Sequence, residues 1–580
     1  MRHLLVLLTV ATLLCGCGSP APAAVLVYSA NGTYTTKTTL AAAATAPDAA
    51  GKRVVFTTDQ TLTANLAWPA DRELVSENFA KINQAGYSFT YSGPTDRWPR
   101  AQMVAGNGVF LLPKCGRVFP EWTGTIATAY NVTTYAAANK TAIDKAIAAI
   151  APQGGTVDYS TGWYYVNNVL VITTNGLRFT GGGSSATALS QGTHIATTST
   201  TADVIQVNDS VSAVEGFEIE NISVVGNSAT GTTGSAFAAI ASHGYAISKI
   251  SAKNCAFIGA AEYGVYFNAD VGGSFIFNCD MPNLMTRSNK LDGVKMIGQI
   301  SQIRLPSLYT EGNLNHGITL AGGATGGMTN VRLDRLTLSV VPVGYAGLNV
   351  EWASGIDVDT IYTEDVAGDN IRLRSVQGFR AVGGGMQQVI STAGGVVIGV
   401  DAANHPNKNH YIDIPGWTNT TAQKHVDLTR YTGGVVVDNL TLGATADGPL
   451  TTSMVAGYDT TFRLNMITYL YTTATPPVLS AGTAGGTAPT LALDAYANDK
   501  KGRISYTPGS GATSGPWVRV TFANPKAVPP IVSVNYGSAD VSAPALYAVP
   551  QNASPCTYFD IGGGNAPVAG LKYINYQVED

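Results

Sequence analysis

Charge is what this sequence has least of. Only 12% of its residues are Asp, Glu, Lys or Arg, about half the ~25% of an ordinary soluble domain. Long surface helices need Glu and Lys on their solvent faces, so a fold built mainly of such helices is excluded. The formal net charge is −4, without a dense basic tract, and the electrostatic footprint of nucleic-acid binding is therefore missing. No nucleic-acid partner is expected. Seven histidines in the whole chain leave little material for a His-centred metal site. The cysteines lack metal-ligand spacing. There is no Walker loop, no His-Glu-x-x-His, no paired Cys-x-x-Cys and no nucleophile elbow. Gly181-Gly182-Gly183 has no dinucleotide-binding unit around it and is expected to be a turn.

Long apolar runs are also scarce. The run 4–14, behind Arg2 and His3, is too short to span a bilayer and fits the core of an export signal. Leu14-Cys15-Gly16-Cys17 resembles a bacterial lipobox, with Cys17 as the lipidated residue; a plain cleaved signal is the alternative. Either way the chain is expected to be exported: to the cell envelope as a lipoprotein, to the medium, or into a virion tail if phage-encoded. Membrane association is expected only through the lipid. Of the other cysteines, Asn254-Cys255 and Asn278-Cys279 occupy matching contexts about one repeat apart. They either stack in neighbouring coils or form a bridge.

What is abundant is Gly, at 64 residues, together with Ala and Thr, a mixture suited to many short strands and tight turns. Residues 18–115 are Thr- and Ala-rich with short alternating runs such as 53–57, and are expected to form a small β-rich module or stalk. Val118-Phe119-Pro120-Glu121-Trp122 follows, and then a helix is expected over 135–150. Ile143, Ile147 and Ile150 fall at i, i+4 and i+7, one apolar stripe. Thr133 or Thr134 caps its start, and Pro152 with Gly154-Gly155 stops it. Gly155-Thr156-Val157-Asp158-Tyr159 then begins the strands.

From about 215 to 443 the chain repeats every 23 to 32 residues. Ile303-Arg304-Leu305-Pro306, Val331-Arg332-Leu333-Asp334 and Ile356-Asp357-Val358-Asp359 share one period-2 pattern, followed less perfectly by 275–279, 379–382, 411–414 and 435–440. A second aligned strand follows in each unit: Tyr263-Gly264-Val265, Asp292-Gly293-Val294, His316-Gly317-Ile318, Ala346-Gly347-Leu348 and Asp369-Asn370-Ile371. Short strands without helices at this period cannot form βαβ units; they form coils that stack, each strand pairing with its counterpart above and below. Such a stack has an open end, which the 135–150 helix is placed to cover.

The Pro-Glu-Trp segment, the amphipathic helix, the Gly-Gly-Thr-Val strand and these coils resemble the pectate-lyase-like family, which includes phage tail spikes and secreted polysaccharide lyases and hydrolases. The resemblance spans roughly 116–443 and implies an all-β fold, a right-handed single-stranded parallel β-helix with an N-terminal capping helix. In one respect the chain departs: relatives commonly carry an acidic, Gly-containing run just before the helix, where this sequence has 125–131. Residues 444–489 are expected to be a linker and 490–580 a β-sandwich. The stretch 498–534 resembles C-terminal modules of phage tail proteins, which implies attachment, glycan contact or trimer formation. A homotrimer is expected.

The repeat places carboxylates. Stacked at about 4.8 Å, matching positions become neighbours, so Arg304, Arg332 and Asp357 form one outward row and Pro306, Asp334 and Asp359 the next. Asp334 and Asp359 then lie about 5 Å apart, near the separation retaining glycosidases use. Two carboxylates that close should push one pKa up and make it an acid, with Arg332 and Arg380 moderating the pair or gripping an anionic sugar. Glu311 and Glu364 fall two coils apart, about 10 Å, near the upper end of inverting geometry. Tyr309 and Tyr362 beside them offer aromatic faces for sugars. His316, Asp369 and Arg372 on the adjoining strand add acid–base capacity or a cation. A lyase instead needs a base and a cation, for which Lys295, Arg332 and Arg372 are candidates. Hydrolysis requires no cofactor; Ca²⁺ is the candidate for an eliminating enzyme, although no Asp cluster forms an evident cage. The plainer explanation of these rows is solubility. The expected function is therefore binding and cleavage of a polysaccharide by hydrolysis or β-elimination, against a non-enzymatic stalk or adhesin that binds a surface glycan or receptor. An epimerase on the same scaffold is a third possibility.

Overall fold

In the strands Ile300–Leu305, Met328–Leu333 and Ala353–Val358, Ile303, Leu305, Val331, Leu333, Ile356 and Val358 are buried, while Arg304, Arg332 and Asp357 between them face outward. One such strand buries only half its side chains and leaves its backbone edge open, so it is stable only in a stack. The computed structural model describes residues 25–387 apart from 97, 185–190 and 324–326, then 394–399, 407–413, 416–418, 424–427, 437–442, 455–456, 476–493, 497, 499, 501–536, 545–567 and 569–579. The 1–17 segment, with the lipidation expected at Cys17, lies outside the described residues.

The stack has three faces. One runs from Arg117–Val118 to Asn407–Asp413, the second from Gly162–Val166 to Gly416–Thr418, and the third from Leu170–Ile172 to Gly394–Gly399. Neighbouring strands on each face are parallel. Every return to a face is a crossover between parallel strands, for which right-handed winding is favoured. The chain is thus a right-handed parallel β-helix. Its register is the one the repeat implies: Ile303 pairs with Val331, Val331 with Ile356 and Ile356 with Phe379 on the first face. On the third, Val265, Val294, Ile318, Leu348 and Ile371 follow one another.

Two asparagine stacks tie coils together. Asn221, Asn254 and Asn283 turn the chain between the first and second faces at φ 58°, 52° and 56°, a left-handed region that Asn tolerates better than most side chains. Asn254 Nδ2 donates to Asn221 Oδ1 at 3.1 Å, and Asn283 Nδ2 donates to Asn254 Oδ1 at 2.9 Å. Inside the coils, fully buried Asn289 accepts from Ala260 N at 2.8 Å and donates to Asn313 Oδ1 at 2.8 Å. Cys255 and Cys279 are buried and free but do not stack on each other. Cys255 stands on the second face against Leu284, and Cys279 on the first against Ile303. The matching Asn-Cys contexts belong to two different corners of the coil.

The helix is Ala136–Ile150, and it is more than an end cap. Tyr135 stands at its N-cap position without a side-chain cap, so neither Thr133 nor Thr134 serves there. Ala136, Ala142, Ala146 and Ala149 are buried along with the three isoleucines, because the coils continue on its other side. Residues 53–111 wind as a second, shorter parallel stack: Arg53–Phe56 pairs with Glu73–Ser76, Ile82–Asn83 lies between Gln60–Thr61 and Val104–Ala105, and Phe89–Tyr91 lies between Leu66–Trp68 and Phe110–Leu111. A hairpin of Val25–Tyr28 and Tyr34–Lys37 closes its outer edge on Arg53–Phe56. Leu112 N donates to Ala149 O at 2.8 Å, and Lys145 Nζ to Gly106 O at 2.9 Å. The β-rich module expected over 18–115 therefore contains a coil stack in its own right. Fully buried Asn139 clamps the run 125–131 by accepting from Ile126 N at 2.8 Å and donating to Ile126 O at 3.0 Å.

The C-terminal unit is a sandwich of two four-stranded antiparallel sheets, with Tyr506, Trp517, Phe559 and Ile574 in its core. Its first strand, Val478–Ala481, lies inside the stretch expected to be linker, because that stretch carries an outward-alternating run that the apolar pattern underweights. Among the described residues no helix is long and apolar enough to cross a membrane.

Replacing Asn139 by Ala removes both side-chain hydrogen bonds to the Ile126 backbone from a fully buried position and is expected to destabilise the first unit by about 1–3 kcal/mol. Asn289→Ala orphans Ala260 N and should lower stability by about 2 kcal/mol, whereas Asn254→Gly, at a positive φ, should change it by only a few tenths. Urea unfolding followed by circular dichroism ranks the three; equal losses at Asn254 and Asn289 would contradict this account.

Candidate functional site

The expected site residues fall on three different faces. On the first, Arg304 Nη2 meets Asp334 Oδ2 at 2.7 Å, and Arg332 reaches Asp334 Oδ1 at 2.5 Å and Asp359 Oδ2 at 2.7 Å. Arg380 Nη1 then joins Asp359 at 3.0 Å to Asp357 at 2.6 Å. The raised pKa expected of one aspartate in the pair is not found at Asp359. Burial pushes the Asp359 carboxyl up, but hydrogen bonds from Arg380 and Arg332 outweigh it and hold the group below its ordinary value. Arg332 stands between the two carboxylates and neutralises the repulsion that would have made one of them an acid. The ladder is exposed and self-satisfied, and each pair in it contributes little stability.

On the second face the register is as expected. Glu311 pairs with Ser339 and Ser339 with Glu364, while Tyr309 pairs with Thr337 and Thr337 with Tyr362. Two coil steps separate the glutamates by about 10 Å. Arg287 Nε lies 3.3 Å from Glu311 Oε2. Burial, and then the Glu311 charge, push the Tyr309 phenol up. Tyr362 is half exposed.

The third face holds His316, Asp369 and Arg372, separate from the glutamates with which the sequence grouped them. Its outward row is Tyr266, Lys295, Thr319, Asn349 and Arg372, one per coil. Unlike the arginine ladder this row is recessed, with Thr319 at 6% and Asn349 at 4% exposure. Asn349 Nδ2 donates to Glu351 at 3.2 Å, and its Oδ1 is buried without a partner among the described residues. Lys295 Nζ donates to Tyr263 Oη at 3.1 Å, and Tyr263 stacks on Tyr266 with centroids 4.8 Å apart. Burial alone would lower the Lys295 pKa; the hydrogen bond to the Tyr263 oxygen outweighs it and holds the group above its ordinary value. Burial pushes the Asp292 carboxyl up despite the hydrogen bond from His316 N at 3.2 Å.

His316 is neutral here. Burial first, and then the Arg372 charge, depress its pKa to about 4. Its Nδ1 accepts from Ala346 N at 2.8 Å, which leaves the proton on Nε2. Arg372 is committed to buried Asp369, at 3.0 and 2.7 Å, and to Gly344 O at 3.1 Å. Asp369 therefore positions the guanidinium rather than facing a ligand. Tyr263, Tyr266, Asp292 and Asn349 were not singled out from the sequence. Their signal was present: the aligned second strands put Tyr266, Lys295, Thr319, Asn349 and Arg372 in one column. Among the described residues no group of three or more His, Cys, Asp or Glu is arranged to hold a metal ion.

No family model matches the chain, and no curated protein does. Solved structures similar to it include the enzymatically active domain of tailspike protein 2 from bacteriophage CBA120, with TM-score 0.40 and 12% identity over 80% of this chain and 70% of that one. The A-module of the Azotobacter vinelandii mannuronan C-5 epimerase AlgE6 gives TM-score 0.35 and 15% identity over 60% and 97%. The tailspike gp49 of Acinetobacter baumannii bacteriophage Fri1, a capsular polysaccharide depolymerase, gives 0.24 and 9% over 80% and 86%. The parallel β-helix anticipated from the sequence rests on the chain's own strand pairing, in which three parallel sheets stack coil on coil.

Proposed function

We propose that the protein binds an acidic polysaccharide along the third face and cleaves it by β-elimination. The observation that carries this reading is the Lys295–Tyr263 pair, a cation held 3.1 Å from a phenol oxygen in a recess beside Asp292. Elimination at a uronate needs a positive charge on the carboxylate, a base for the C5 proton and an acid for the leaving oxygen. Lys295 supplies the charge, Tyr263 Oη in its deprotonated form takes the C5 proton, and Asp292 in its protonated form, which burial favours, gives a proton to the leaving oxygen as the C–O bond breaks. Neutral His316 and the positioned Arg372 complete the polar wall. Hydrolysis by Glu311 and Glu364 is the competing chemistry on the second face. The stalk or adhesin reading is favoured by the self-satisfied ladder on the first face, which asks for no ligand. Assembly as a homotrimer belongs to the proposal and is read by sedimentation.

The test uses the chain without residues 1–17 on alginate, polygalacturonate, hyaluronan and a neutral glucan. Reducing ends and the ultraviolet absorbance of the unsaturated product are followed together. Elimination predicts both signals on an acidic polymer, lost by about 10²-fold or more in Lys295→Ala and Tyr263→Phe and kept in Glu311→Gln and Asp334→Asn. Reducing ends without absorbance, abolished by Glu311→Gln, would move the chemistry to the second face. Binding without any product would leave the adhesin.

His316 also fixes a pH response. Its folded pKa of about 4 lies below the ordinary 6.5, so between these values the unfolded chain binds a proton that the folded chain does not. The contribution of His316 is complete above about pH 6.5 and is lost as pH falls towards 4. His194 and His410 are depressed in the same direction by burial. The thermal midpoint should therefore fall through this window, and less steeply in His316→Gln; parallel curves for the two proteins would count against a neutral, buried His316.

A further inference from the structure

Where the third face turns into the first, Gly298, Gly322, Trp352 and Ser375 occupy equivalent positions, each directly after the paired residues Ile297, Ala321, Glu351 and Arg374. The corner is tight. A β-carbon on Gly322 would stand 2.3 Å from Trp352 O. Trp352 has φ +50°, a backbone region that bulky side chains rarely adopt. Its side chain is 42% exposed, whereas Trp68, Trp98, Trp122, Trp163 and Trp517 are all at 5% or less. At the foot of this indole lies a cavity of about 270 Å³ lined by Met328, Ser354, Ser375 and Gln377.

A glycine would relieve the backbone, and a polar residue would suit the exposure, so the corner position disfavours Trp on both counts. A ligand that covers the indole reverses the balance. The chemistry on offer is one broad apolar ring face beside the hydroxyls of Ser354 and Ser375 and the amide of Gln377. A pyranose ring has the complementary surface, an apolar face of C–H groups rimmed by hydroxyls. From Lys295 to Trp352 the path is two coil steps and three residues along a strand, about 14 Å, within the span of a short oligosaccharide.

We propose that Trp352 and this cavity form a sugar-binding subsite that holds a non-reacting residue of the polysaccharide cleaved on the third face. The identity of the ligand rests on the function proposed above; the site itself rests on the indole, its strain and the cavity. Binding energy gathered here would anchor the chain while the reacting uronate sits at Lys295.

The experiment compares the chain without residues 1–17 with its Trp352→Gly, Trp352→Tyr and Lys295→Ala variants. Affinity electrophoresis in alginate, polygalacturonate and hyaluronan measures binding, acrylamide quenching reports the exposed indole, and calorimetry follows the thermal midpoint. The subsite predicts that Trp352→Gly melts at or above the wild-type midpoint yet binds about tenfold or more weakly, while Trp352→Tyr keeps most of the affinity. The bound polymer should shield an indole from acrylamide in the wild type and in Lys295→Ala, and not in Trp352→Gly. Wild-type binding by a stable Trp352→Gly overturns the subsite and leaves the proposed function standing. A Trp352→Gly that melts well below the wild type overturns it too, because the indole is then a structural element. A wild type that binds none of the three polymers removes both readings together.

Discussion

A parallel coil sets each residue directly against its counterpart one repeat away, about 4.8 Å distant, and most of this structure follows from making those like-on-like contacts tolerable. Apolar columns gain from it, as in the column of Val265, Val294, Ile318, Leu348 and Ile371 on the third face. Charged columns do not. Arg304 stands against Arg332, and the repulsion is relieved only because Asp334 and Asp359 interleave from the neighbouring row. Buried polar columns use asparagine, since its amide both donates and accepts and so satisfies the copy above and the copy below at once.

The same stacking leaves an edge at each end. Here two stacks of different coil length present edges to one helix, which explains why Ala136–Ile150 is rich in alanine: small side chains let backbone approach from both sides, as at Leu112 N and Ala149 O. The run 125–131 just before the helix is held by Asn139 from within it, through a side-chain amide that bonds both backbone groups of Ile126.

The outward rows of the three faces differ in how deeply they are sunk. The first face closes its charges on one another. The second is shallow, with Glu311 paired to Arg287 and Tyr362 in water. Only on the third face do corner residues such as Tyr263, Asp292 and His316 crowd the outward row enough to desolvate it. Desolvation is what moves the pKa of Asp292 up and that of His316 down. The corner that follows adds an exposed indole and a cavity where the coils on either side have glycine or serine.

The repeat in the sequence determined the winding, the register and therefore which residues are neighbours along the axis: Glu311 over Ser339 over Glu364, and Arg332 over Asp357, could be read directly because side-chain alternation with period 2 permits only one pairing that buries every apolar residue. The shorter stack at 53–111 was not legible as coils, since strands of two to four residues carry too few alternations to reveal a period. What only the tertiary structure decided was lateral. Sequence order joined Tyr309, Glu311, His316 and Arg372 into one site, yet a corner after Glu311 sends His316 to another face. Alignment brought Asp334 and Asp359 together with Arg332 and Arg380 beside them, but which carboxylate each guanidinium reaches is set by its rotamer and not by its position. The period fixes distance along the axis, whereas depth, side-chain direction and charge pairing depend on corners and rotamers that a one-dimensional pattern does not encode.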